Sequence, residues 1–195
     1  MKIDKALKKQ KKYKKIFFIF MFILAVMLPI ITYLAYIDSL YIWLFLIIIE
    51  GLIILSIINK INYYKLQFIY SNNKLKFKSG LFASESLILC DKVAIVHTIK
   101  RNEEIDIIII TTKKFRNKKL KPLSKIIIEK HQEIAKEIEK LRKINPDNVY
   151  YFQVIKRGAL TKYLILDVIY KNCVNASYTY SAIENIKIAR GQNEI

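Results

Sequence analysis

Glycine, proline, cysteine and histidine are all scarce in this 195-residue chain, at four, three, two and two residues. No glycine-rich phosphate loop, nucleophile elbow or paired-carboxylate motif is present, so the common phosphoryl-transfer and hydrolase chemistries have no sequence support. Cys90 and Cys173 stand far apart, and neither His97 nor His131 has a Cys, Asp or Glu at metal-ligand spacing on its own face. His97 falls in an alternating strand-like run and His131 on the polar side of a helical pattern, so both read as structural. No metal, cofactor or disulfide is expected, and the chain reads as non-enzymatic. Acidic residues are also few: 16 Asp and Glu against 34 Lys and Arg, a net charge of +18.

Two long apolar runs stand out against that charge. Residues 16–37 and 40–58 are each about 20 residues, enough to cross a bilayer core of about 30 Å as helices. The linker at Asp38-Ser39 is too short to return across a membrane, which predicts an antiparallel hairpin with residue 1 and everything after residue 58 on one side. The first run is too long for a signal peptide and lacks a small-x-small cleavage site. Residues 1–15 carry eight lysines against Asp4, Lys60 and Lys65 follow the second run, and the outer turn has no cation. Cytoplasmic flanks carry the Lys/Arg excess, so the expectation is a two-pass protein of a bacterial cell membrane, with both termini and residues 59–195 cytosolic. Tyr33, Tyr36, Tyr41 and Trp43 at the turn, and Tyr13, Tyr63 and Tyr64 at the other boundary, suit interfacial anchors.

Glu50 interrupts the second run. Treated like Asp, it costs about 3 kcal/mol on the insertion scale, whereas the surrounding Leu, Ile and Phe return roughly 4 to 8 kcal/mol, so the helix still inserts. It lies level with Leu28 and Pro29, and Pro29 frees the carbonyl of Ala25, to which a protonated Glu50 is placed to donate. Glu50 reads either as an interhelical or oligomeric hydrogen bond or as part of a proton or cation pathway.

Beyond residue 58 the chain turns to short alternating segments. Residues 66–70 and 75–77, separated by Ser71-Asn72-Asn73, predict a β-hairpin. Runs at 86–89, 93–99 and 105–111 extend this to an antiparallel sheet of at least five strands, with Ile107 to Ile110 apolar on both faces and therefore central. A basic loop follows, with Lys113, Lys114, Arg116, Lys118, Lys119 and Lys121 around Phe115. Ser124 then caps a helix to about Arg142, whose stripe of Ile127, Ile134, Ile138 and Leu141 predicts packing on the sheet.

This order of features resembles bacterial pleckstrin-homology-like (bPH2-type) membrane proteins. The resemblance is carried by the hairpin, the segment Leu75-Lys-Phe-Lys-Ser-Gly80-Leu81-Phe82 with its Gly-Leu turn, and Ser86-Leu-Ile-Leu-Cys-Asp91-Lys-Val93. It covers residues 16 to about 143, and it lacks the family's proline, having Leu89-Cys90 at that place. It implies a small curved sheet closed by a C-terminal helix, a scaffold for lipid or protein and no catalytic activity.

Asn145-Pro146-Asp147-Asn148 punctuates the chain and predicts a boundary, leaving 146–195 as an extension of one strand and two helices. Residues 160–174 would form a helix apolar over most of its surface, to be covered by the domain, a second copy or the membrane surface. Ser181 and Glu184 have capping-box spacing, with Ile183 and Ile186 on one face of a short helix ending at Gly191.

The expected whole is therefore α+β: a basic segment (1–15), a transmembrane helical hairpin (16–58), a pleckstrin-homology-like domain (59–145) and the extension (146–195). Its basicity suits anionic lipid headgroups, each nearby cation adding roughly 1 kcal/mol of attraction, better than nucleic acid, for which no motif is present. The expected role is a binding or scaffold protein at the inner leaflet that engages anionic lipid, a protein partner or a second copy. The loop cations are the candidate contact, unless they form only a solvated loop. The alternative is a small oligomeric channel, holin-like or transport accessory protein built on Glu50.

Overall fold

The computed structural model describes residues 1–36, 39–115 and 117–194. Asp38 of the expected turn and Arg116 of the basic loop lie outside the described residues. Two long helices, α1 (Ile3–Leu34) and α2 (Leu40–Tyr64), open the chain. Both are long and apolar enough to cross a membrane, and almost none of their most apolar stretches is buried within the chain. At 1.5 Å per residue, α1 is about 48 Å and α2 about 38 Å long, both exceeding a bilayer core of about 30 Å. The surplus in α1 corresponds to its basic first third, so the lysine-rich segment is a continuation of the helix.

The strands form two sheets, not the single antiparallel sheet expected: the five runs between residues 66 and 111 divide three and two. β1 (Leu66–Ser71), β2 (Lys74–Ser79) and β3 (Ser86–Leu89) make an antiparallel meander. The β1–β2 turn is two residues, Asn72 and Asn73, both at positive φ as a tight hairpin requires. The second sheet has the order β6-β7-β5-β4-β8, built from β4 (Val93–Arg101), β5 (Glu104–Thr111), β6 (Lys121–Pro122), β7 (Tyr151–Ile155) and β8 (Ser177–Tyr178). All its pairings are antiparallel except β4 with β8. β5 is central, as its two apolar faces predict. Ile107 and Ile109 enter one core with α5 (Thr161–Asn172), while Ile108 and Ile110 enter a second with Ile134 and Ile138 of α4 (Gln132–Ile144). Each of these buried isoleucines is worth about 1.5–3 kcal/mol.

Three local expectations change, and one left open is decided. The helix after Ser124 is split at His131, whose extended backbone separates α3 (Lys125–Lys130) from α4. Ile126, Ile127 and Ile128 in succession are weak helix formers, which favours a break there. Residues 146–195 are not set apart: β7 inserts between β6 and β5, and α5 fills the main core. The apolar α5 is thus covered by the chain itself, including Ile3 and Ala6 of α1. Finally, α6 (Tyr180–Ala189) is capped by Thr179, whose hydroxyl accepts from the Ala182 N–H at 3.3 Å. Ser181 is not the cap, and Ile183 is exposed while Ile186 is buried.

Candidate functional site

The helical hairpin is bolted to the α+β domain. Asn62, one turn beyond the last apolar residue of the second run, accepts hydrogen bonds from the Leu81 N–H at 2.9 Å and from Arg157 at 3.2 Å. The backbone joins at the same level, with the Gly80 N–H donating to the Lys65 carbonyl at 2.7 Å and the Gly158 N–H to that of Tyr63 at 2.9 Å. Gly80, at φ 107°, is required there, since a Cβ would sit 2.6 Å from Asn62 Oδ1 and 2.8 Å from Arg157. From the first helix, Gln10 accepts from the Leu160 N–H at 3.0 Å and the Met1 ammonium lies 2.9 Å from Glu194. Residue 1 and the domain therefore lie at the same end of the hairpin.

At this junction a cavity of about 720 Å³ opens between the start of α1, the end of α2 and the β4–β5 turn. Its floor is a buried ion network. Lys162 is only 1% exposed, yet its ammonium lies 3.2 Å from Glu104 and 3.4 Å from Asp106 and donates to the Lys156 carbonyl at 2.9 Å. Asp106, also buried, faces Arg101 at 3.1 Å. Tyr63 donates to Glu104, and burial together with that carboxylate pushes the phenol up from its ordinary value. Two carboxylates and one carbonyl match its three donors, so Lys162 ties α5 to the β4–β5 hairpin. Such a network has no local sequence signal, because Lys162 stands 58 residues from Glu104 and 56 from Asp106.

The basic loop is divided by the fold. β5 begins at Glu104, against Tyr63, and ends at Thr111, about 23 Å further along the strand. Lys113 and Lys114 leave from that far end and are exposed, as are Lys118 and Lys121. Asn117 folds the loop back, donating to Gln153 at 2.7 Å and the Leu87 carbonyl at 3.0 Å. Lys119 returns toward the hairpin end. Its ammonium donates to the Ser84 carbonyl at 2.7 Å. Burial, then the nearby Arg157 and Lys78, push it below the usual lysine value. Sequence reasoning missed Lys78 and Arg157, which stand 41 and 38 residues from Lys119 in the chain.

Glu50 is half-buried, and its Oε1 is buried with no hydrogen-bond partner among the described residues. The expected bond to the Ala25 carbonyl does not form, although Pro29 does lie inside α1. Thr32 instead donates to the Leu28 carbonyl at 2.9 Å.

The two histidines meet. Their rings are 5.1 Å apart, and His97 Nδ1 lies 3.0 Å from Thr179 Oγ1, 3.1 Å from Ser181 Oγ and 3.6 Å from Glu133. Serine and carboxylate share one ring nitrogen, so the relay of a nucleophilic triad is not assembled. The cluster ties α4 to the start of α6. Among the described residues no group of three His, Cys, Asp or Glu side chains is placed to hold a metal ion.

No protein-family model, no characterised protein and no solved structure matches the chain significantly.

Proposed function

We propose that this chain is a non-enzymatic, membrane-anchored binding or scaffold protein of bacterial type, whose pleckstrin-homology-like domain is held against the inner leaflet. There it engages anionic lipid, a protein partner, or both. The observation that carries the reading is the Asn62 junction. A helix that crosses a bilayer and continues without a linker into hydrogen bonds with the domain holds that domain at the membrane surface instead of tethering it loosely. The lysine excess at this end of the hairpin favours the cytosolic side. Lys60 over Phe17 and Tyr64, 5.2 and 5.4 Å from the ring centroids, and Lys14 over Tyr64 at 5.7 Å suit an interfacial belt. The pleckstrin-homology-like reading is supported by the meander, the hairpin β4–β5 and the helix α4 following the apolar pair. β7, entering the sheet after that helix, is an addition to it.

Hydrogen exchange of the full chain in nanodiscs of phosphatidylglycerol and of phosphatidylcholine tests the lipid part. In-cell photocrosslinking from position 118 tests the partner part. Slower exchange around residues 78–84 and 119 in the anionic discs, or a captured protein, is expected. Identical exchange with nothing captured contradicts the reading.

A second reading rests on the unpartnered Glu50 Oε1: an oligomeric channel or transport accessory protein using that carboxyl. Ion leak from proteoliposomes that Glu50→Gln abolishes would favour it, whereas a scaffold shows no leak in either form.

A further inference from the structure

Lys78, Lys119 and Arg157 converge on the turn that joins the domain to the second helix. None of the three has a carboxylate partner among the described residues. Lys119 is held by the Ser84 carbonyl and Arg157 by Asn62, so both are fixed in place by neutral acceptors that leave their charge uncompensated. Lys78 and Lys119 are half-buried. The nearest acidic residue along the turn, Glu85, is engaged with Lys76 at 4.0 Å. Three cations gathered without a counter-charge repel one another; burial first, and then Arg157 and Lys78, lower the affinity of Lys119 for its proton.

The position of the cluster selects its counter-ion. Asn62 is four residues past Ile58, about 6 Å along the helix, which is the depth of the headgroup layer next to the hydrocarbon core. On the same turn, two residues from Gly80, Phe82 is 84% exposed. A large exposed aromatic beside unpaired cations at that depth has a ready environment in the lipid interface, ring toward the acyl boundary and cations at the phosphates.

We propose that Lys78, Lys119 and Arg157 form a site for the phosphate group of an anionic inner-leaflet phospholipid, with Phe82 inserted beside it. This deepens the membrane-anchored binding reading and rests on it. Arg157 supplies the planar donor fork that matches phosphate oxygens, and the two ammonium groups act as point charges around it. Lys113 and Lys114, at the far end of β5, take no part.

Native mass spectrometry of the full chain, released from mixed phosphatidylglycerol and phosphatidylcholine nanodiscs, reads the site directly. The variants are Lys78→Gln/Lys119→Gln/Arg157→Gln, the charge-preserving Lys78→Arg/Lys119→Arg/Arg157→Lys, and Lys113→Gln/Lys114→Gln as control. Hydrogen exchange of β4 and β5 in each variant reports that the domain remains folded. A parallel arm offers inorganic phosphate in phosphatidylcholine discs. The expected result is preferential retention of phosphatidylglycerol by the wild type, the charge-preserving variant and the control. The neutralised triple variant should lose that preference by on the order of a hundredfold. Loss in the control with retention in the triple variant overturns the site while leaving the anchored-binding reading intact. A wild type that does not distinguish the two lipids overturns both the site and the lipid part of that reading. Retention of inorganic phosphate without lipid preference overturns the lipid source.

Discussion

Asn62, on the last turn of the second long helix, accepts the backbone N–H of Leu81 at 2.9 Å. That bond ties the helix that would leave the membrane to the turn that begins the domain's basic face. Its consequence is mechanical, because a helix cannot bend freely at a point where its side chain and the neighbouring backbone are both engaged.

Replacing Asn62 with Leu removes the acceptor shared by Leu81 and Arg157 and should cost about 1–3 kcal/mol. Gly80→Ala should be similarly harmful, since it adds both a positive-φ strain and a close approach to Asn62. Hydrogen exchange at the Leu81 amide measures this: faster exchange is expected in both variants, and unchanged exchange would show that the junction is not held there.

Lys162→Met should destabilise the domain by about 3–5 kcal/mol, because it leaves the carboxylates of Glu104 and Asp106 without their shared cation inside the fold. Chemical denaturation of the detergent-solubilised full chain checks it. A change under about 1 kcal/mol would mean that the network is solvated and not structural.

The first residues should behave as core. Ile3 and Ala6 are each 2% exposed, so Ile3→Ala should cost about 2–5 kcal/mol. Lys8→Ala, on the exposed face of the same helix, should be close to neutral. Equal melting of both variants and the wild type would detach this segment from the domain.

The extent to which the chain could be read in advance follows from the range of each signal. Alternation and Asn-rich turns are local, so β1 to β5 and the central position of β5 were evident. The insertion of β7 was not, because strand order depends on pairing across 40 residues of loop and helix. The lysines of residues 1–15 masked Ile3 and Ala6, whose helical spacing makes sense only once the domain is present to cover them. The loop cations were visible as composition, but their division into a far pair and Lys119 depends on where β5 points. Lys78 and Arg157 could be grouped with Lys119 only in three dimensions.

Acidification should loosen α6. Burial, then the neighbouring His131, hold His97 below the usual 6.5 despite Glu133 beside it; burial and Lys130 do the same to His131. Both histidines bind protons more weakly folded than unfolded, so their stabilising contribution is present above about pH 6.5 and is lost as pH falls below it. Burial alone would raise Glu133, but the Ser181 hydroxyl and N–H outweigh it and hold the carboxyl below its ordinary 4.5, a contribution lost only at lower pH. Thermal unfolding should therefore come earlier at pH 5.5 than at 7.5, and His97→Gln should narrow the gap. Superimposable melts at the two pH values would contradict the cluster's role.

The central claim, that the hairpin holds the domain's cationic face in the headgroup layer, is tested most directly by depth at residue 82. Trp43 is the chain's single tryptophan, so Trp43→Phe combined with Phe82→Trp gives one emitter in proteoliposomes containing headgroup-labelled nitroxide lipid. The account predicts strong quenching at position 82, comparable to a Tyr64→Trp emitter at the end of the second helix. Emission at position 82 that the nitroxide leaves unchanged, while the position-64 emitter is quenched, would contradict it.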